Sequence, residues 1–144
     1  MEIIATLQQL LLENGVSSLA LTLGLGLDDR HGMYDCKTPH RHHHTDALDE
    51  IGMWLAWLKQ QGVESAVLLG HSRGGNQTAW FAAERDDPDN KKEVLIAPQT
   101  RDKDKDAADN EKKYAKPQAP VLALANDQVA KKQGDTMLEN KDFI

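Results

Sequence analysis

A single cysteine, Cys36, stands among the 144 residues, so no disulfide can close within the chain and cysteine usage leaves the compartment undecided. Cys36 has no companion that would suggest nucleophilic or metal chemistry. No apolar run approaches membrane-spanning length, and Met1-Glu2-Ile3-Ile4 lacks the charged n-region and apolar core of a signal peptide. The cytoplasm is therefore the default location, and a membrane is not an expected partner. Positive charge is also short: Lys and Arg number 17 against 23 Asp and Glu, a net charge of −6, which offers no general attraction to nucleic acid. The shortage with most bearing on chemistry is of histidine. All six (His31, His40, His42, His43, His44 and His71) lie in the first half of the chain.

What is present is the balance of a folded chain, with 40% hydrophobic and 28% charged residues and enough length for one modest domain. Ile3, Ile4, Leu7, Leu10 and Leu11 recur at helical spacing, and Asn14-Gly15 supplies a stop. Residues 18–23 read as a short buried strand closed by Gly24 and Gly26, and 24–44 as an irregular connection. Thr45 is a good N-cap, with Asp46, Asp49 and Glu50 where the dipole of a new helix favours acids. Ala47, Leu48, Ile51, Trp54, Leu55 and Leu58 form its apolar stripe, Trp57 falls on the less apolar side, and Gly62 ends it. Residues 66–69 are a continuous apolar run, as for a strand covered on both faces. A helix over 74–84 and a strand over 93–97, stopped by Pro98, complete the alternation, which argues for a parallel α/β sheet with crossover helices. Residues 101–116, rich in both charges, fit a solvated helix or a linker. Residues 117–135 fit a second helix on the shared face of Val121, Leu122, Ala125 and Val129, or else a strand ending at Asp127.

The segment that carries chemistry is Gly70-His71-Ser72-Arg73-Gly74-Gly75, into which the apolar run at 66–69 leads directly. A sharp strand-to-helix turn needs small residues beside a central serine, because neighbouring chain passes too close for a Cβ. The turn lifts the Ser72 hydroxyl above the sheet edge and aims the Arg73 N–H at a developing oxyanion, with the positive end of a helix behind it. The competing reading is a glycine-rich turn with a bystander serine. A phosphate-binding loop is disfavoured, since no lysine follows the glycines.

These residues resemble the nucleophile elbow of the α/β-hydrolase superfamily, and the likeness in order and spacing runs from residue 1 to about residue 98. The resemblance implies a three-layer sandwich with a mainly parallel sheet, Ser72 as catalytic nucleophile, Arg73 as oxyanion donor, and Gly70, His71, Gly74 and Gly75 as motif positions. It also implies hydrolysis of an ester, thioester or amide of a small acyl substrate, with no cofactor. Residues 99–144 would be a charged, helical extension, such as the start of a lid.

Departures from the family pattern are as informative. The family order is serine, acid, histidine, and no histidine follows Ser72; Asp127 is the only acid we single out as a candidate. The His-Gly strand that precedes the first helix in the family has no counterpart here. Its place would lie between 18–23 and 66–69, so the expectation is an incomplete sheet in an internal piece of a longer protein, inactive alone and prone to form a homodimer through its uncovered edges. Three alternatives stay open. The domain could keep the elbow without catalysis and act by binding or self-association. The imidazoles of His40-Arg41-His42-His43-His44 could attract a transition metal, although adjacent histidines diverge and no physiological metal site is expected. The guanidinium of Arg73 could be an ordinary surface charge or could meet an anionic substrate group.

Overall fold

The structure is a computed structural model describing residues 2–35, 37–39, 41–85, 87–88, 90–99, 102–115 and 117–136. Its elements are α1 (Glu2–Glu13), α2 (Asp46–Gln60), β1 (Ala66–His71), α3 (Arg73–Glu84), β2 (Asn90–Ile96), α4 (Lys103–Tyr114) and α5 (Ala119–Ala130). Contacts divide the chain into two units, Met1–Ala97 and Pro98–Ile144.

The helix ends in the first unit follow from local chemistry. Gly62, at φ 86°, ends α2 with paired bonds: its N–H donates to the Lys59 carbonyl, and the Val63 N–H donates to the Leu58 carbonyl. A left-handed residue there lets the chain fold back over the last carbonyls, and glycine adopts it without a Cβ clash. The start of α2 differs from expectation. Thr45 stands at the N-cap position but in helical geometry, with no side-chain capping bond; the Asp46 carboxylate accepts from the His43 N–H instead, at 2.9 Å.

β1 and β2 are parallel, with an irregularity after Ala66 and then a regular register from Val67 opposite Lys92 to His71 opposite Ile96. α3 is the crossover between them and packs on both strands, while α2 packs on α3. A parallel pair requires such a crossover, because the chain must return to the same end of the sheet. The fold of this unit is therefore α/β. Its core is small: Leu48, Ile51 and Leu55 of α2 surround Phe81 of α3, which is 2% exposed, with Leu23, Ala66 and Leu68 against the cluster. Of the expected α2 stripe, Ala47, Leu48, Ile51 and Leu55 are buried, Trp54 and Leu58 half-buried; Trp57 is exposed and meets the Trp54 ring edge-on.

Two expectations about strands need correction. Residues 18–23 join no ladder, and Leu19 and Leu21 are exposed. The described sheet is the pair β1–β2 alone, so β1 is parallel but not central. An apolar run becomes a strand only where a neighbour supplies ladder partners, and among the described residues none pairs with 18–23. Nor is β1 covered on both faces. Ala66 and Leu68 meet the core, and the two-residue period turns Val67 and Leu69 to the other side, where they are 56% and 37% exposed. The apolar stripe of α1 forms as a helix but contains no buried residue.

In the second unit, 103–114 is helix, resolving the choice between helix and linker. The Asp102 carboxylate caps α4 by accepting from the Asp104 and Lys105 N–H groups. α5 settles the alternative at 117–135 as helix, with Pro120 near its start, where a missing N–H costs nothing. No helix among the described residues is long and apolar enough to cross a membrane.

Candidate functional site

Ser72 directly follows β1 and immediately precedes α3, at φ 53° and ψ −119°. A non-glycine residue at positive φ costs of order ~1–3 kcal/mol and persists only where its surroundings over-determine it. Here they do so from both sides. The Ser72 N–H extends the strand ladder by donating to the Ile96 carbonyl at 2.9 Å, and the Ser72 carbonyl accepts from the Gly75 and Asn76 N–H groups of the first helical turn. The residue is held as the last rung of a ladder and the first acceptor of a helix. No ordinary backbone conformation joins those two roles so abruptly.

The two glycines of the motif are not equivalent. A Cβ on Gly70 would lie 2.3 Å from the Gly74 carbonyl oxygen and 2.6 Å from Thr78 Oγ1, so close approach excludes any side chain there. A Cβ on Gly74 would meet nothing within 4 Å. The expectation that both positions require small residues for the same reason therefore holds at Gly70 and fails at Gly74. Gly75 is buried on α3, and His71, at the end of β1, is half-buried opposite Ile96.

Ser72 is exposed, and among the described residues no side chain hydrogen-bonds its hydroxyl. The Arg73 and Gly74 N–H groups belong to the first turn of α3, whose leading amides have no acceptor within the helix. A strained, exposed hydroxyl beside unsatisfied amides at the positive end of a helix is an arrangement suited to an electrophile that gains negative charge on attack. The surroundings are open. Two shallow grooves run along the α2–α3 junction, on either side of Arg85, and neither includes a residue of 70–75.

Asp127, the acid candidate, lies not on a strand but in the last turn of α5, where its carboxylate pairs with Lys131 at 2.6 Å, four residues on. A strand at 120–127 would need a ladder partner, whereas the helical spacing of its apolar residues satisfies the backbone locally. Within the histidine run, His40 lies outside the described residues, as does Cys36. Among the described residues no three His, Cys, Asp or Glu side chains converge as metal ligands.

Three residues to which the sequence assigns no site role matter to the frame. Glu50, expected to serve the dipole of α2, accepts from the Gly24 and Leu25 N–H groups at 2.5 and 2.7 Å and so anchors the turn after the extended segment. Nothing in the sequence pairs residues 24 and 50. Thr78, 6% exposed, faces Gly70 from one turn further along α3 than Gly74. Its signal was the spacing 70, 74, 78, with small or short side chains at each. Arg30 ties the connection together by donating to the Leu23 and Gly32 carbonyls, with its guanidinium 5.1 Å from the Tyr34 ring centroid.

No family model, curated protein or solved structure matches the chain.

Proposed function

We propose that this chain is a segment of an α/β-hydrolase-like serine hydrolase, with a three-layer parent architecture, in which Ser72 attacks an ester, thioester or amide carbonyl and the Arg73 N–H receives the oxyanion. The observation that carries the reading is the conformation of Ser72. It is an exposed serine at φ 53° on the turn from the C-terminal end of a parallel strand into a helix. Crevices at the carboxyl ends of parallel strands are where α/β sheets bind ligands. The attack forms an Oγ–acyl bond, the leaving group departs with a proton, and water later restores the serine. A base must take the hydroxyl proton, and no hydrogen bond to the Ser72 hydroxyl supplies one among the described residues.

An alkyl fluorophosphonate, with imidazole added as an external base to take the hydroxyl proton, tests the reading without depending on turnover, because its phosphorus is a strong electrophile. The expected result is one adduct, located at Ser72 by peptide mass and absent in Ser72→Ala. An unlabelled chain, or a label elsewhere, counts against the proposal.

A second reading, a non-catalytic domain that keeps the elbow as architecture and acts by binding or self-association, has its own support. Among the described residues the Ser72 hydroxyl has no hydrogen-bond partner, and Val67, Leu69 and Val94 leave apolar surface open on one face of the sheet.

A further inference from the structure

Arg73 is the first residue of α3, directly after Ser72, and its side chain is exposed. Every Cα–Cβ bond of a helix tilts toward its N-terminus, which here is the end where Ser72 stands. Two other arginines of the same unit are engaged: Arg85, at the far end of α3, pairs with Asp49 at 2.6 Å, and Arg30 holds two carbonyls. Among the described residues nothing pairs with the Arg73 guanidinium, and α3 carries no acid in its first turn. In a chain of net charge −6, the guanidinium, the leading α3 amides and the helix dipole thus place positive potential beside the serine.

We propose that Arg73 sets the substrate class of the Ser72 site, selecting acyl groups that carry a carboxylate a few bonds from the reacting carbonyl. The inference rests on the reading of Ser72 as a nucleophile. A guanidinium presents a planar fork of donors that matches a carboxylate, and it remains charged at any working pH. The pairing is solvent-exposed, so its effect is a preference of a few-fold and not an absolute requirement.

The test uses two fluorophosphonates with alkyl chains of equal length, one ending in a carboxylate and one in a methyl group. Imidazole is added at fixed concentration as an external base. The Ser72 Oγ–P bond forms, the P–F bond breaks, fluoride leaves and the hydroxyl proton passes to imidazole. The readout is the ratio of labelling rates at Ser72, carboxylate probe over methyl probe, by intact mass. We expect this ratio to fall about three- to five-fold in Arg73→Gln, to be largely retained in Arg73→Lys, and to shrink in the wild type as salt is raised. An equal ratio in wild type and Arg73→Gln, with labelling still at Ser72, overturns the role of Arg73 and leaves the nucleophile standing. Absence of Ser72 labelling by either probe overturns both.

Discussion

Gly70 and Gly74 meet backbone to backbone: the end of β1 lies so close to the first turn of α3 that a methyl group on Gly70 would overlap the Gly74 carbonyl, with the Thr78 hydroxyl just beyond. The contact is one-sided, since a methyl group on Gly74 would meet nothing within 4 Å. Gly70→Ala should therefore destabilise the first unit by at least the ~1–3 kcal/mol typical of overpacking, or prevent folding. Gly74→Ala should be neutral or stabilising by up to ~1 kcal/mol, because it removes backbone entropy from the unfolded chain. Paired denaturant melts of the two variants decide this. Equal losses would mean that the elbow is not packed as described.

The strain at Ser72 has a thermodynamic signature. At φ 53° any side chain is disfavoured, so Ser72→Gly should be more stable than Ser72→Ala, by about 1 kcal/mol. Thermal unfolding of the three proteins checks the order, with glycine expected above both alanine and serine. A stability exchanged for a reactive geometry would show itself in that way.

Removing the Glu50 carboxylate should release the turn it holds. Glu50→Ala takes away the acceptor of the Gly24 and Leu25 N–H groups, and a loss of about 1–2 kcal/mol is expected for hydrogen bonds to a partly exposed charged group. Amide exchange at residues 24 and 25 should accelerate well beyond that in α3. Unchanged protection there would show that the turn is held by something other than this carboxylate.

Turnover by this chain alone should be slight. General-base assistance contributes roughly 10²–10⁴-fold, and no side chain among the described residues hydrogen-bonds the Ser72 hydroxyl. Activated esters are expected to be hydrolysed barely above background, with the residual rate lost in Ser72→Ala. Vigorous hydrolysis that survives Ser72→Ala would refute the assignment of the nucleophile.

The uncovered sheet face should make the first unit sticky. Val67 is 56% and Val94 42% exposed, Leu69 lies opposite Val94 in the register, and β1 has a free edge among the described residues. Such surface favours association with a second copy. Sedimentation at several concentrations should show self-association, reduced in Val67→Lys. A sharp-melting monomer at all concentrations would mean that the face is covered in solution.

The positions of α2 and α3, the stop at Gly62 and the turn at Ser72 were legible along the chain; of the strand read over 93–97, residues 93–96 are in β2, which begins earlier, at Asn90, and leaves out Ala97. Each is specified within a few residues: an apolar stripe of period 3.6, a capping glycine, a strand running into Gly-x-Ser-x-Gly. The helical content of 103–130 was legible for the same reason, although the apolar residues there also fit a strand ending at Asp127, which the helical backbone of α5 excludes. What only the tertiary structure decided depends on partners distant in sequence. Residues 18–23 have the composition of a strand, yet a ladder needs a neighbour and they have none among the described residues. The run at 66–69 is apolar throughout, yet only Ala66 and Leu68 face a layer that covers them. Glu50 reads as a dipole acid until the Gly24 and Leu25 amides are found on its carboxylate. Likewise the motif names two glycines, and only the packing of α3 on β1 distinguishes the one that admits no side chain from the one that does, because steric exclusion depends on what stands within contact distance and not on what stands next in the chain.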